Sequence, residues 1–384
     1  MVNQMKQKKY YTPNTEKWKY TKINQFDSYS FDFKPTNSKV KIHCENNEII
    51  LQNGILNNIG LNLVDKQIII SNINDSNNHA QNIQNKLSIN EDVKFNNKNI
   101  NFYTGLFLYI PKNINENISI KNIIDQGHEK RFLNLKNYIY IDENSKSNIT
   151  YNEETTCSSC IYNSYQLYVG NNSELEFTNI NNRIDGSKAI NNYDINIQAN
   201  SKMTYHAMDI SGKLIKNNYN INLNKAGANC YFNGLNIASQ KNYTDNYIEI
   251  RHNTNHTFSD INYNIIAQDK SQSIFFAKTI INEKSSSCEA YQNNKNIILS
   301  EKALIQSNPQ LEIYNDDVKC AHGSTTGQID EEAVHYMRTR GINEILAKQL
   351  ILHSFLADII NKISLKNLKT KLNNKIENYL KNVN

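Results

Sequence analysis

The strongest constraint on the fold is an internal repeat marked by tyrosine. Five segments, aligned on their first residue, each alternate apolar and polar residues, turn at a polar corner and resume the alternation; they open at Tyr138, Tyr165, Tyr193, Tyr219 and Tyr247. The tyrosines lie 26–28 residues apart, a period typical of stacked structural units. Because the alternation has period two, each copy predicts two short strands with one buried face.

Two architectures compete for such a pattern. Hairpins of a β-sandwich would vary in spacing and need turns such as Asn-Gly. A near-constant period with like residues at like positions instead lets equivalent strands stack in parallel as a solenoid, and the corners are rich in Asn, Ser and Gly, which suit tight turns. We therefore predict a mainly β protein with a parallel β-helix core. Strand-like alternation at 105–120, 261–281 and 295–318 extends it.

The repeat divides the chain into three predicted regions. Residues 1–95 form a mixed N-terminal region, residues 96–318 form the β-helix core, and residues 319–384 form a helical docking domain. The composition of the two ends differs from that of the repeats, as expected because solenoids need caps.

Three amphipathic helices are predicted near the C-terminal end. The first has Asp330 as N-cap. Acidic residues in its first turn and basic residues in its last turn suit the helix dipole, and a glycine follows at C′: Glu331, Glu332, Arg338, Arg340 and Gly341. The second begins near Asn343 and places on one face Leu346, Leu350, Ile351, Phe355, Ile359 and Ile363. The third carries Leu365, Leu368, Leu372, Ile376 and Leu380. These helices pack on the end of the β-helix, bind a partner, or do both.

Composition disfavours several classes of protein. The net charge is +5 and lysines are scattered except near the two ends, which argues against a nucleic-acid partner. No apolar run approaches a membrane span, and Met1–Lys9 lacks the apolar core of a secretory signal. Six cysteines without a regular framework favour free thiols in a reducing cytoplasm.

One cysteine and one histidine are the leading candidates for metal chemistry. Cys320 and His322 are two residues apart, so in an extended chain both side chains project from one face. A thiolate with an imidazole suits iron, copper or zinc, but two ligands do not hold a cluster, which usually takes four. The alternative is that Cys320 is a small buried apolar residue and His322 a turn residue.

Other candidates have weaker grounds. Cys157 and Cys160 have redox or metal spacing, but they lie in a solenoid loop, away from a strand–helix turn that would lower a thiol pKa. His252 and His256 would share a strand side only without a corner between them, and residues 253–255 look like a corner. His206 is more readily a solvated or satisfied polar residue.

A long segment around the candidate pair resembles a known family. The run LEIYNDDVKCAHGSTTGQIDEEAVHYMRTRGI is similar to the hallmark C-terminal segment of the SufB/SufD family. Pieces such as GLFLYIPKN, FFAKTII and AKQLILHSF match in family order, so the resemblance covers roughly 100–360. The glycine after His322 and the pair Gly327-Gln328 are similar to the SufD branch, with a SufB-type paralogue as the alternative. Ala277 stands where the family usually has glycine.

The resemblance implies a right-handed parallel β-helix and a scaffold subunit rather than an enzyme. It implies a complex with SufB and the ATPase SufC, with the C-terminal helices on SufC and the region of Cys320 and His322 at SufB. A transient iron–sulfur cluster would be built there and shared with SufB. A SufD homodimer is the corresponding state in isolation. The chain has no GxxxxGK[ST] loop, so we expect ATP on SufC.

Two unrelated functions remain as alternatives. A β-helix polysaccharide lyase or hydrolase would need a groove with carboxylates and a catalytic base, and the repeats contain no such carboxylate cluster. An extracellular adhesin is disfavoured by the absence of a signal in Met1–Lys9.

Overall fold

A computed structural model describes residues 16–21, 26, 28–36, 43–64, 66–75 and 102–381. Its strands are β1 Glu48–Gln52, β2 Ile55–Ile59, β3 Ile69–Asn72, β4 Leu106–Ile110, β5 Asn115–Ile124, β6 Phe132–Ile141, β7 Lys146–Thr155, β8 Cys160–Val169, β9 Glu174–Asn182, β10 Lys188–Ile197, β11 Lys202–Ser211, β12 Leu214–Leu223, β13 Asn229–Ala238, β14 Tyr243–His252, β15 Phe258–Ala267, β16 Gln272–Ile281, β17 Cys288–Ile298, β18 Leu304–Ile313 and β19 Val318–Gly327. Its α-helices are α1 Leu61–Val64, α2 Glu331–Thr339, α3 Glu344–Ile360 and α4 Lys366–Leu380.

The strands form two parallel stacks that face each other. One sheet has ten strands in the order β19-β17-β15-β13-β11-β9-β7-β5-β1-β2, and the other has nine in the order β18-β16-β14-β12-β10-β8-β6-β4-β3. From β4 to β17 each strand pairs with the strand two positions later in the chain, so successive turns stack as a β-helix of about eight turns. The predicted solenoid core is confirmed.

Three tyrosines of the repeat stack inside the solenoid. Tyr193 lies opposite Tyr165 on one side and Tyr219 on the other. The ring centroids are 4.7 Å and 4.5 Å apart, with interplanar angles of 12° and 10°. Such offset stacks stabilise beyond the area they bury, by about 0.5–1.5 kcal/mol per pair. The tyrosine repeat is therefore a packing ladder in the core.

The outer two tyrosines do not share this register, which corrects the alignment of five equivalent copies. Tyr138 lies opposite Gln166 and Tyr247 lies opposite Asn218, one residue away from the ladder. A slip of one residue moves a side chain to the other face of a sheet. Tyr138 therefore packs with Phe107 in a separate cluster, and Tyr247 stacks on a neighbouring phenylalanine.

A buried polar network lies inside the same turns. Arg183 and Glu153 are both fully buried, with Nη2 2.6 Å from Oε1. Beside them runs a column of asparagines whose side-chain amides donate from one turn to the next over 2.7–2.8 Å: Asn163, Asn191, Asn217 and Asn246. Asp209 accepts from Asn217 at 2.7 Å. Since buried polar groups must find partners, this column helps to fix the vertical register of the turns.

The described part of residues 1–95 covers the N-terminal end of the solenoid and part of one outer face. β2 and β3 pair antiparallel with β1 and β4 and close the N-terminal end of both sheets. Trp18, Phe26 and Phe31 are buried against the outer face of the nine-stranded sheet. The segment Met1–Lys9 lies outside the described residues.

The helical region begins later than predicted. Residues 319–327, assigned from the sequence to the docking domain, belong to β19, and α2 begins at Glu331. The strand continues because its residues pair with β17 over its whole length. Asp330 caps α2 as predicted, accepting from the backbone amides of Glu332 and Ala333.

The helices pack on the outer face of the ten-stranded sheet. Their buried side chains join those of the strands in one cluster, including Met208, Leu235, Leu352, Leu356 and Ile376. The face of α3 described from the sequence is only partly covered by the sheet: Ile359 is buried, whereas Leu346 and Leu350 are 44% and 43% exposed. Among the described residues, no helix is long and apolar enough to cross a membrane.

Candidate functional site: the open end of the solenoid

The C-terminal end of the β-helix has two strand edges without a partner strand in the described structure. β18 and β19 are the terminal strands of their sheets, bonded only to β16 and β17. Each runs for ten residues. Because an unpaired edge presents a row of backbone donors and acceptors, it is a template for pairing with another chain.

The side chains at this end are exposed in a way that those of inner turns are not. Leu304, Ile313 and Tyr314 are 53%, 42% and 58% exposed, whereas most apolar side chains of inner strands are fully buried. Pro309 lies within β18, a position tolerated on an edge strand because proline donates no hydrogen bond. The open end therefore combines apolar area with free backbone edge.

The two candidate ligands lie on β19 at this end. Cys320 is opposite Ala290 and His322 is opposite Gln292. Cys320 is half-buried and packs with Cys288 and Ala290 on the inner face, and His322 is exposed. Side chains two apart on a strand share a face, so the extended geometry expected from the sequence is the one found.

The residue next to His322 on the neighbouring strand β17 is polar and buried. Gln292 donates through Nε2 to Thr279 Oγ1 at 2.7 Å and to the carbonyl of Gln310 at 3.0 Å, and so ties the two sheets together. Its Oε1 is buried and accepts no hydrogen bond from the residues described. Gln292 lies opposite His322 on the neighbouring strand.

The surroundings of Cys320 favour a protonated thiol in the isolated chain. Burial raises the pKa of Cys320, and neighbouring Cys288 raises it further, while a backbone hydrogen bond from Ala290 opposes the shift. In the part of the chain that the structure covers, no three His, Cys, Asp or Glu side chains gather into a metal site. The arrangement offers a partial ligand set.

A second thiol lies one turn behind Cys320 and is not evident from the sequence. Cys288 is 1% exposed, and its Sγ is 3.1 Å from Thr257 Oγ1. Thr257 in turn lies 2.7 Å from Nδ1 of His252, whose Nε2 is 2.9 Å from Ser259 Oγ. Burial lowers the pKa of His252 to about 4, so its imidazole is neutral at pH 7.

The weaker sequence candidates are not brought together. Cys160 packs in one buried cluster with Trp18, Phe26 and Phe31. Its thiol donates to the carbonyl of Glu129, and burial raises its pKa to about 11. Cys157 lies in the loop before β8. His256 is an exposed corner residue with a positive φ of 54°, so a corner does separate it from His252. His206 is fully buried, with Nε2 3.4 Å from Glu176.

Comparisons with known proteins agree with this architecture. Residues 123–355 match the family model for the SUF system FeS cluster assembly, SufBD core domain. A SufBD family iron–sulfur cluster assembly protein of Synechocystis is 28% identical over 209 residues, 54% of this chain and 46% of that protein. SufD of Escherichia coli is 29% identical over 167 residues, 44% and 40% of the two chains. SufD of Bacillus subtilis is 26% identical over 287 residues, 72% and 64%.

The alignments have a limited reach in the relatives. The matched part spans about half the length of the first two relatives and 64% of the third. The match to the family model, residues 123–355, contains the solenoid from β6 onward, the open end and the start of the helical region.

Proposed function

Because the chain belongs to the SufBD core family of the SUF system for iron–sulfur cluster assembly, we propose that this SufD-like protein is a scaffold subunit that works with a SufB-type partner and the ATPase SufC. In this proposal the cluster is cargo, assembled transiently between subunits. The chain contributes architecture and a partial ligand set, and ATP is bound and hydrolysed by SufC. The site of action is the cytoplasm.

The open end of the β-helix carries the proposal. Two unpaired ten-residue edges with exposed Leu304, Ile313 and Tyr314 suit a partner that continues the two sheets with its own strands. The opposite end finishes in the antiparallel strands β2 and β3, which have only five and four residues, so its free edges are about half as long. A SufB-type β-helix docked end to end would cover the exposed apolar area.

Cys320 and His322 would lie within that junction. His322 would bind iron through a neutral imidazole, and Cys320 would serve as a second ligand or as a structural residue. Thiolates of the partner would complete a set that this chain leaves partial. Both side chains lie on the last strand, which under this proposal faces the partner.

The C-terminal helices are the proposed docking site for SufC. α3 and α4 anchor on the ten-stranded sheet, while four large apolar side chains remain exposed on α2 and α3: Tyr336, Ile345, Leu346 and Leu350. The side chains of Leu346 and Leu350 are one helical turn apart and form a continuous stripe. Movement of the helices driven by SufC would be transmitted to the solenoid through the sheet face on which the helices pack.

A charged substitution at the open end tests the docking proposal. Leu304→Arg should reduce co-purification with the cognate SufB at least about 10-fold, because an arginine buried without a partner at an interface costs more than about 1.4 kcal/mol. Leu61→Arg is the matched control, since Leu61 is 76% exposed near the capped end. Unchanged retention of SufB by Leu304→Arg, or equal loss by both variants, would contradict docking at this end.

A further inference from the structure

The thiols of Cys288 and Cys320 occupy a diagonal position on neighbouring strands. β17 and β19 run parallel with Cys288 opposite Val318 and Ala290 opposite Cys320, so the two cysteines are one strand and two residues apart. Both belong to the same inner cluster with Ile281 and Ala290. Both cysteines are free thiols.

The spacing of the two cysteines excludes a disulfide and suits a bridging metal ion. A strand spacing of about 4.8 Å and two rises of about 3.3 Å put the Cα atoms about 8 Å apart. A disulfide needs Cα atoms closer than about 7 Å, so these cysteines do not form one without movement of the backbone. A single metal ion bound by two sulfurs, with bonds of about 2.3 Å, keeps the sulfur atoms about 4.6 Å apart, a separation that two cysteine side chains can span from Cα atoms about 8 Å apart.

We propose that Cys288 and Cys320 form a two-thiolate site for a thiophilic monovalent cation, Cu(I), at the open end of the solenoid. Soft thiolates select Cu(I), and two donors satisfy a d¹⁰ ion that takes a linear geometry. Among the described residues no third His, Cys, Asp or Glu completes a larger site, which disfavours tetrahedral zinc or iron held by this chain alone. Half-buried Cys320 gives the ion its entry.

The thiol of Cys288 donates to the backbone carbonyls of Thr254 and Ser286 at 3.4 Å and 3.5 Å, and its Sγ lies 3.1 Å from Thr257 Oγ1. Thr257 Oγ1 donates to the Thr254 carbonyl at 3.3 Å and lies 2.7 Å from Nδ1 of His252, so binding of the cation replaces the S–H contacts of Cys288 with a Cu–S bond. Binding breaks two S–H bonds, forms two Cu–S bonds and releases two protons to the buffer. Copper enters and stays as Cu(I), so no oxidant or reductant is consumed.

Competition with a Cu(I) chelator on the isolated full-length chain tests this site. Under anaerobic conditions, with Cu(I) presented as its bathocuproine disulfonate complex, we expect one Cu(I) per wild-type chain. Cys288→Ala and Cys320→Ala should each weaken binding by more than about 100-fold, above the range for losing an outer-shell partner. Cys288→Ser repeats the test with a polar residue that preserves the contact with Thr257, and circular dichroism checks the fold of each variant.

The controls separate this site from other thiols and from the iron proposal. Cys157→Ala, Cys230→Ala and His322→Ala should retain wild-type affinity, and X-ray absorption should show two sulfur ligands without imidazole. Wild-type affinity in a folded Cys288 variant, loss of binding in Cys157→Ala, or a Cys288–Cys320 disulfide after mild oxidation would overturn the proposal. Because no partner is present, failure here is distinct from failure of the docking proposal.

Discussion

Replacing Arg183 with methionine should destabilise the protein more than most single changes, because it leaves a carboxylate buried without its counter-ion. The guanidinium is fully buried, with Nε 2.8 Å from Glu153 and Nη2 within 3.3 Å of Asn181 and Asn191. Methionine keeps much of the length of the side chain and loses the charge and every one of these donors.

The magnitude follows from the burial of both charges. Breaking a fully buried ion pair by removing one partner costs about 3–5 kcal/mol, whereas replacing both partners with neutral groups can be close to neutral. We therefore expect Arg183→Met to lower the free energy of unfolding by about 3–5 kcal/mol, and the double variant Arg183→Met/Glu153→Gln to lose at least about 2 kcal/mol less. The Glu153→Gln change keeps an acceptor for Asn163, which donates to the Glu153 carboxylate at 3.0 Å.

Equilibrium urea unfolding followed by circular dichroism measures both values. The matched control is Arg251→Met, because Arg251 pairs with Glu249 but its side chain is 43% exposed, and an exposed pair contributes below about 1 kcal/mol. A loss in Arg183→Met no larger than that in Arg251→Met, or a double variant as unstable as the single one, would refute the reasoning.

Three further changes have expected outcomes. Burial lowers the pKa of His252 from 6.5 to about 4, so the stability it contributes is present above pH 6.5 and is lost as the pH falls toward 4. About 2 kcal/mol of the free energy of unfolding should be lost between pH 7 and pH 5. Urea titrations should show that His252→Gln removes this pH dependence and that the exposed control His335→Gln keeps it. Gly234→Ala should cost about 1–3 kcal/mol in thermal or urea unfolding, because its Cβ would lie 2.0 Å from the Tyr263 ring, whereas Gly323→Ala, with open space around it, should change stability by less than about 0.5 kcal/mol. Asp330→Ala should weaken the start of α2 by about 1 kcal/mol, visible as faster hydrogen exchange of the backbone amides it caps; unchanged exchange would contradict the cap.

Local signals in the sequence were sufficient for the repeat and for the helix cap. The alternation around Tyr165, Tyr193 and Tyr219 predicts strands because the face of a strand depends on neighbouring residues alone. Asp330 predicts a helix start for the same reason, since a cap acts within three residues.

Register and long-range contacts were not available from such signals. The spacing from Tyr219 to Tyr247 resembles the others, yet one extra residue in a corner places Tyr247 on the outer face. The buried face of α3 depends on the sheet beneath it, so Leu346 and Leu350 are exposed although they follow the helical period. Cys288 meets Cys320 only because one solenoid turn separates them.

Anaerobic reconstitution with iron and sulfide tests the central claim most directly. The isolated chain should acquire no stable iron centre, because its ligand set is partial, whereas the complex with SufB and SufC should acquire one, followed by iron analysis and Mössbauer spectroscopy. In that complex, His322→Ala should lower the iron bound while leaving the subunits associated, and exposed His335→Ala should not. A stoichiometric, stable iron centre on the isolated chain, or normal iron in a complex carrying both Cys320→Ala and His322→Ala, would contradict the account.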